Sequence, residues 1–211
     1  MAVDIIYTKN KNREGIMDLE TKKRNKHLIV CLTGMPGAGK STVADSLRKK
    51  GFIVITMGDI VREEARQQNL EPTDANLGNL MLKLRKDLGP GAISHLILRK
   101  IERETVIDGN IVIDGIRSLA EVEVLKTIGH VKILAIHAST ITRFWHLKER
   151  ARTDDPLVRD HFITRDKREL TVGISEAIAL ADETLSNNEI TIEELKEKAF
   201  AIIQKWIIET K

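Results

Sequence analysis

The chain is poor in cysteine and in aromatic residues, and it has no long apolar run. Cys31 is the single cysteine among 211 residues, so no disulfide can form within the chain. Such a composition is typical of a reducing compartment, and we therefore expect a cytoplasmic protein. No stretch approaches the roughly 18 consecutive apolar residues of a membrane-spanning helix, and the first residues lack the apolar core of a signal peptide. We expect neither a membrane span nor a secretory leader.

A strong excess of charge of either sign is also missing. The chain has 34 basic and 31 acidic residues, and its net charge of +3 is too small to indicate a nucleic-acid partner. Charged residues form 31% and hydrophobic residues 42% of the chain, a balance typical of a globular protein with one sizeable core. We predict an N-terminal extension over residues 1–26 and one domain over residues 27–211. The basic residues 22–26 form either a solvated lead-in or an arm that binds RNA or a membrane.

A phosphate-binding pattern is the most informative feature that the sequence contains. It runs without a gap over Gly34-Met35-Pro36-Gly37-Ala38-Gly39-Lys40-Ser41-Thr42. Residues 27–33 before it have the length and composition of a buried strand, and residues 42–50 after it have helical spacing. The pattern therefore lies between a strand and a helix, as a P-loop requires. A glycine-rich turn without a ligand is the weaker alternative.

These residue types suit a nucleotide polyphosphate. Glycines let the backbone curl so that its N–H groups surround a phosphate, and the N-terminus of the following helix adds partial positive charge. Lys40 is expected to reach the β- and γ-phosphates, and the Ser41 hydroxyl is expected to bind Mg²⁺. The motif therefore predicts a nucleotide site that works with a magnesium ion.

Strands and helices alternate along the rest of the chain. Strands are predicted at 27–33, 52–55, 110–115, 131–138 and 184–186. Helices are predicted at 42–50, 59–69, 72–88, 92–104, 120–128 and 140–152, in two pieces over 157–181, and at 191–210. This alternation predicts an α/β protein with a three-layer P-loop NTPase fold, in which helices cover both faces of a central parallel five-stranded sheet. Met1 to Thr8 is a further candidate strand, and Pro156 suits the first position of a helix.

Polar residues follow the strands at the edge where open α/β sheets bind their ligands. Asp114 ends a buried strand, where it would hold Mg²⁺ or, alternatively, cap a helix or loop. No Glu follows Asp114, which argues against a motor-type ATPase. Arg62 and Arg117 stand after the second and third strands, and their planar guanidinium groups are suited to grip a phosphate-bearing acceptor. Either arginine alone would more often be a surface residue.

Two further features each have two interpretations. Asp59 stands at the fourth position of a capping-box pattern, but it also suits a catalytic carboxylate near the acceptor. The charge-rich residues 143–168 form either a solvated helical face or part of a lid over residues 140–170. In the lid interpretation, Arg150 and Arg152 stabilise charge on the transferring phosphate.

Several segments resemble P-loop nucleoside-monophosphate kinases and their relatives. They are Thr56-Met57-Gly58-Asp59-Ile60-Val61-Arg62, Ile113-Asp114-Gly115-Ile116-Arg117, Ala181-Asp182-Glu183-Thr184-Leu185-Ser186-Asn187 and Arg150-Ala151-Arg152-Thr153-Asp154-Asp155-Pro156. The first two resemble the Gly-Asp-x-x-Arg and Asp-Gly-Phe-Pro-Arg segments of adenylate kinases, although the second is one residue shorter and lacks the proline. The third resembles the Ala-Asp strand of dephospho-coenzyme A kinases. The fourth is similar to the lid motif of an archaeal family of uncharacterised adenylate-kinase-related proteins.

The resemblance implies an ATP- and Mg²⁺-dependent kinase that moves a γ-phosphoryl group to a small nucleotide-like acceptor. The acceptor would be a nucleoside monophosphate or dephospho-coenzyme A, bound within residues 58–104, and Asn187 would lie near the adenine. A hydroxyl acceptor would need Asp59 as its base, whereas a monophosphate would not. We expect a small-molecule partner, no nucleic acid or membrane, and a monomer or homodimer. A P-loop NTPase switch and an RNA-associated ATP-binding protein are the alternatives.

Overall fold

A parallel sheet organises the molecule. The computed structural model describes residues 27–103, 109–156 and 158–210, and within them five strands form one parallel sheet in the order β2-β3-β1-β4-β5. The strands are β1 (Leu28–Thr33), β2 (Ile53–Thr56), β3 (Ile111–Ile116), β4 (His130–His137) and β5 (Glu183–Ser186). Each predicted strand in this part of the chain is confirmed to within two residues. The predicted strand over residues 1–8 and the N-terminal extension lie outside the described residues.

Helices connect the strands and cover the sheet. They are α1 (Lys40–Arg48), α2 (Met57–Gln67), α3 (Asp74–Leu88), α4 (Ala92–Arg103), α5 (Leu119–Leu125), α6 (Thr140–Arg150), α7 (Arg159–Thr171), α8 (Ile174–Ala179) and α9 (Ile192–Glu209). The two pieces predicted over 157–181 are confirmed as α7 and α8, although residue 157 itself lies outside the described part. Residue 104, the predicted end of α4, lies outside it as well. No helix of the described residues is long and apolar enough to cross a membrane.

Both faces of the sheet are buried, and together with the helices they make three layers. Successive side chains of a strand point to opposite faces. Ile29 and Cys31 therefore pack into one apolar cluster with α2 to α5, whereas Val30 and Leu32 pack into a second cluster with α1 and α9. Full burial of an Ile or Leu side chain contributes about 1.5–3 kcal/mol, so this pattern fixes which face of each helix meets the sheet.

The helix ends differ in how they are capped. At the start of α9, Thr191 and Glu194 form the reciprocal bonds of a capping box. The capping box predicted at Asp59 is wrong, because the Thr56 side chain makes no capping bond and Asp59 pairs with Arg62 instead. Pro156 was predicted to start a helix, and this is also wrong.

The helix after Pro156 begins later because the preceding residues are held in a loop. The Asp155 carboxylate accepts the backbone N–H of Arg152 at 3.0 Å, a local contact that competes with helix formation. The first residue of α7 is Arg159. The loop places two buried carboxylates, Asp154 and Asp155, at the edge of the site described next.

Candidate nucleotide and acceptor sites

The phosphate-binding pattern forms a tight loop between β1 and α1. Gly34, Gly37 and Gly39 have φ values of 137°, 81° and 108°, which favour glycine over any residue with a Cβ atom. A Cβ atom on Gly34 would lie 2.1 Å from the carbonyl oxygen of Ile136 in β4. The loop ends at Lys40, the first residue of α1, so the unpaired N–H groups of the helix N-terminus stand at the loop. This geometry suits an anionic ligand.

The loop is held by side chains from distant parts of the chain. Arg143 of α6 donates from Nη1 to the carbonyl oxygen of Pro36 at 3.0 Å. Nδ1 of His146, one turn along α6, is 2.9 Å from the carbonyl oxygen of Gly37. Nδ2 of Asn187, after β5, donates to the carbonyl oxygen of Ala38 at 3.0 Å. Asn187 was predicted to lie at this site, whereas sequence reasoning missed the contribution of His146.

Ser41 and Asp114 meet across the ends of β1 and β3. Ser41 Oγ donates to Asp114 Oδ2 at 3.1 Å, and Asp114 is only 3% exposed. The other carboxylate oxygen, Asp114 Oδ1, is buried and has no hydrogen-bond partner among the described residues. A buried anionic oxygen without a partner is costly, and an oxygen-ligated divalent cation such as Mg²⁺ would satisfy it. These residues therefore fit a magnesium ion.

The ammonium group of Lys40 is buried, and its pKa is lowered. Its ammonium group donates to the carbonyl oxygens of Gly34 at 2.6 Å and Met35 at 3.2 Å, so it lies folded over the loop. Burial lowers the pKa of Lys40 to about 8, although the nearby Asp114 carboxylate opposes the change. A polyphosphate at the loop would favour the charged form of Lys40 and so raise its pKa.

The predicted polar residues converge on one cleft, which we call the transfer cleft. Lys40, Ser41 and Asp114 line it together with Arg62, Arg117, Arg150 and Arg152. Asp59 does not line it, and the Asp59 side chain is 71% exposed. The structure thus brings together every predicted catalytic, acceptor-binding and metal-binding residue except Asp59.

A second, larger cleft opens on the other side of the loop, and we call it the nucleoside cleft. Its volume is about 560 Å³, within the range of roughly 300–1,000 Å³ typical of ligand pockets. Polar and apolar side chains line it, among them Thr42, Thr142, Leu147, Asn187, Ile190 and Leu195. Met35 and Ala38 line neither cleft, and their carbonyl oxygens instead accept the bonds from Lys40 and Asn187.

A buried ion pair holds Arg117 in the transfer cleft. Arg117 Nε donates to Glu169 Oε2 at 2.5 Å, and Glu169 is 2% exposed. Burial alone would raise the pKa of Glu169, but the Arg117 guanidinium lowers it below its ordinary value. Burial likewise opposes the charged form of Arg117, yet the Glu169 carboxylate raises the pKa of Arg117 above its ordinary value. Both groups are therefore charged at neutral pH.

The carboxylates of the loop before α7 hold three more arginines. Arg62 donates to both oxygens of Asp154, at 3.1 and 3.3 Å, and Arg150 donates to both oxygens of Asp155, at 2.8 and 2.5 Å. Arg165 of α7 donates to the carbonyl oxygen of Asp154 at 2.8 Å and to Asp155 Oδ1 at 3.3 Å. Arg62, predicted to grip the acceptor, and Arg150, predicted to stabilise charge on the transferring phosphate, are thus tied to consecutive residues.

A third, small pocket continues from the transfer cleft between α2, α3 and α7, and we call it the acceptor pocket. Arg62, Arg117, Arg165 and Glu169 line both spaces. Farther in, Arg168 donates to the Asp74 carboxylate at 3.0 and 2.6 Å. Sequence reasoning missed Asp74 and Glu169, because neither stands in a motif. The one signal for Glu169 was its place directly after the charge-rich residues 143–168, and Asp74, at the start of α3, had no such signal.

The amino-acid sequence is similar to those of known proteins. A family model described as an AAA domain matches residues 33–162. The UPF0200 protein of Pyrococcus abyssi is 39% identical over 181 residues, which cover 84% of this chain and 96% of that protein.

Solved structures share the fold at low sequence identity. TT1252 from Thermus thermophilus has a TM-score of 0.56 at 19% identity, over 85% of this chain and 97% of that one. Shikimate kinase from Acinetobacter baumannii, solved in complex with shikimate, has a TM-score of 0.53 at 17% identity, over 88% and 97% of the two chains. The predicted three-layer P-loop fold is confirmed, and the fold is that of P-loop kinases. By its match to the family model the chain contains an AAA domain, and by its 39% identity to the Pyrococcus abyssi protein it belongs to the UPF0200 family.

Proposed function

We propose that this protein is a phosphotransferase that moves the γ-phosphoryl group of ATP, with Mg²⁺, to a small anionic acceptor. One observation carries the proposal: the phosphate-binding loop and the Ser41–Asp114 pair open into the same cleft as four arginines, which are Arg62, Arg117, Arg150 and Arg152. Phosphoryl transfer depends mainly on positioning and on neutralising charge, and this cleft offers both.

Each side of the cleft has its own task in this proposal. The nucleoside of ATP occupies the nucleoside cleft beside Asn187, and the loop with Lys40 holds its phosphates. Ser41 and Asp114 would hold Mg²⁺, which when bound supplies positive charge next to the phosphates. Arg150 and Arg152 stabilise the charge on the transferring group, while Arg62 and Arg117 grip the acceptor.

Two features support a kinase over an enzyme that only hydrolyses ATP. The residue after Asp114 is Gly115, so no carboxylate stands there to activate a water molecule. The arginine-lined space also extends beyond the transfer cleft into the acceptor pocket, which an enzyme that only hydrolyses ATP would not need. The acceptors to be tested are nucleoside monophosphates, dephospho-coenzyme A and, because the related shikimate kinase binds shikimate, small carboxylic acids.

The test is ADP formation from ATP and Mg²⁺ in the presence of each acceptor, with isolation of the phosphorylated product. Lys40→Ala should abolish the acceptor-stimulated rate, because the loop then loses its ammonium group. Lys49→Ala is the matched control, since Lys49 is exposed at the end of α1 and lines neither cleft. Steady ADP release that no acceptor stimulates would contradict the proposal and favour an NTPase.

A further inference from the structure

The acceptor pocket differs from the nucleoside cleft in size. Its volume is about 70 Å³, against about 560 Å³ for the nucleoside cleft. An apolar cavity of roughly 150 Å³ accommodates a benzene ring, so the acceptor pocket is too small to enclose a nucleobase. The acceptor side therefore suits a compact molecule.

The pocket is built to hold an anion. Its lining includes four arginines, which are Arg62, Arg117, Arg165 and Arg168, and three carboxylates, which are Asp74, Asp154 and Glu169. The lining therefore has one positive charge in excess. The Nε atoms of Arg165 and Arg168 are buried and have no hydrogen-bond partner among the described residues. Arg165 Nε is 3.7 Å from Asp74 Oδ1, which is beyond hydrogen-bond distance. The arginines thus retain donor capacity that the carboxylates of the pocket do not use.

The remaining wall of the pocket is apolar. Val61, Leu77 and Met81 supply it from α2 and α3, next to two glycines, Gly58 and Gly78. The lining from the described residues includes no aromatic side chain and no Ser, Thr, Asn or Gln. Stacking surfaces and neutral hydrogen-bonding groups are the means by which proteins read a base. The wall therefore suits a short aliphatic group better than a base.

The carboxylates that line the transfer cleft already have other roles. Asp114 accepts from Ser41 and offers its other oxygen to the proposed cation, and Glu169 pairs with Arg117. Asp59, the base predicted for a hydroxyl acceptor, does not line the transfer cleft. An acceptor that brings its own anionic oxygen needs no base.

We infer that the acceptor is a small phosphomonoester with a short aliphatic body, and that the product is the corresponding diphosphate. This inference rests on the proposed kinase function. An oxygen of the acceptor phosphate attacks the γ-phosphorus of ATP, a new P–O bond forms, and the bond to the β,γ-bridging oxygen breaks to release ADP. With a dianionic acceptor no proton is transferred. The arginines that line both spaces hold the acceptor phosphate in the transfer cleft, and only its short aliphatic body enters the acceptor pocket, against Leu77 and Met81.

The experiment compares alkyl phosphates with nucleotides as acceptors for the full-length protein. Methyl, n-butyl and isobutyl phosphate are tested beside AMP, CMP, dephospho-coenzyme A and shikimate, and phosphorus NMR identifies the product. Leu77→Gln places a polar group on the apolar wall, and we expect it to raise the KM for n-butyl phosphate by about tenfold. Leu82→Gln is the matched control, because Leu82 lies on the same helix, is 40% exposed and lines none of the three spaces. ATP binding is measured separately for each variant.

The outcomes separate this inference from the proposed function. An alkyl diphosphate product, a lower KM for n-butyl than for methyl phosphate, and a higher KM in Leu77→Gln alone would support the inference. Preference for a nucleoside monophosphate, dephospho-coenzyme A or shikimate would overturn it and leave the kinase function standing. ATP binding without stimulation by any acceptor would overturn both.

Discussion

The nucleotide side and the acceptor side of the transfer cleft are built by different kinds of contact. On the nucleotide side, consecutive residues form a backbone loop whose shape depends on glycines such as Gly34 and Gly37. On the acceptor side, ion pairs join residues that are far apart in the chain. Arg62 and Asp154 are separated by 92 positions, and Arg168 and Asp74 by 94. The shape of the loop is encoded locally, although distant residues such as Asn187 hold it, whereas the acceptor side consists mainly of contacts that form only when the fold is complete.

This difference predicts different consequences of mutation. Changes at the side chains of Lys40, Ser41 and Asp114 should affect catalysis and leave the free energy of unfolding nearly unchanged. Changes in the acceptor-side network should lower stability or acceptor affinity and leave ATP binding intact. The following predictions test that division in order of decreasing effect.

Asp114→Asn should have the largest effect on catalysis. The amide keeps the shape of the side chain and can still accept from Ser41, but it removes the charge that would hold Mg²⁺. We expect kcat to fall by about 1,000-fold, since a metal ion supplies several kcal/mol of charge stabilisation. Steady-state rates over a Mg²⁺ titration provide the measurement. Asp45→Asn, at an exposed position of α1, is the control, and an unchanged Mg²⁺ dependence in Asp114→Asn would refute the assignment.

Glu169→Gln should have the largest effect on stability. Removing one partner of a buried ion pair leaves Arg117 uncompensated, and we expect the free energy of unfolding to fall by about 3 kcal/mol. Because Arg117 lowers the pKa of Glu169, the stabilisation is complete at neutral pH and is lost as the pH falls below the ordinary value of 4.5. Urea unfolding at several pH values tests both points.

The control for this stability measurement is Glu176→Gln, which changes an exposed carboxylate on α8. It should alter the free energy of unfolding by less than about 0.5 kcal/mol. Equal stability of Glu169→Gln and the wild type at neutral pH would show that the ion pair contributes nothing.

Gly78→Ala should affect the acceptor side alone. A Cβ atom at Gly78 would lie 2.5 Å from Arg168 Nη1, so the guanidinium must move away from Asp74. Alanine also gains up to about 1 kcal/mol of helix propensity, which offsets part of the cost in stability. We expect the KM for n-butyl phosphate to rise about fivefold, the effect of roughly 1 kcal/mol, while the KM for ATP is unchanged. Asn79→Ala, at an exposed position of α3, is the control.

The smallest predicted effect is the proton uptake that accompanies ATP binding. The pKa of Lys40 is about 8 in the free protein, and a bound polyphosphate should raise it. Between these two pKa values, binding takes up a fraction of a proton, and ATP affinity weakens as the pH rises above 8. Calorimetry in two buffers of different ionisation enthalpy measures the uptake. Lys40→Arg should remove it, because arginine stays charged; uptake that persists in this variant would assign the proton to another group.

The nucleotide side could be predicted from the sequence because its signals are local. The glycine spacing, the strand before it and the helix after it all lie within residues 27–50. Alternation of strand and helix patterns then predicted the parallel sheet, and the carboxyl ends of the strands placed Asp114 and Asn187 correctly.

The acceptor side could be predicted only in part. Arg62 and Arg117 were found because they follow strands, but nothing in the sequence predicted that Asp154 and Glu169 would be their partners. The interpretation of Asp59 as a cap was wrong for a physical reason. Asp59 is three residues after Thr56, the spacing of a capping box, but it is also three residues before Arg62, the spacing of an ion pair within a helix. The structure contains the ion pair.

The contacts between α6 and the phosphate-binding loop have a mechanical consequence. Arg143 and His146 fasten the first two turns of α6 to the loop, and a Cβ atom on Gly37 would lie only 2.4 Å from the carbonyl oxygen of Arg143. This end of the helix cannot slide or tilt without displacing the loop. The far end is followed by Ala151 at φ 48°, a left-handed conformation that is strained for alanine. The first two turns of α6 are therefore coupled to the position of the phosphate-binding loop, and the backbone beyond Ala151 is fixed separately by the bond from Arg152 N–H to Asp155.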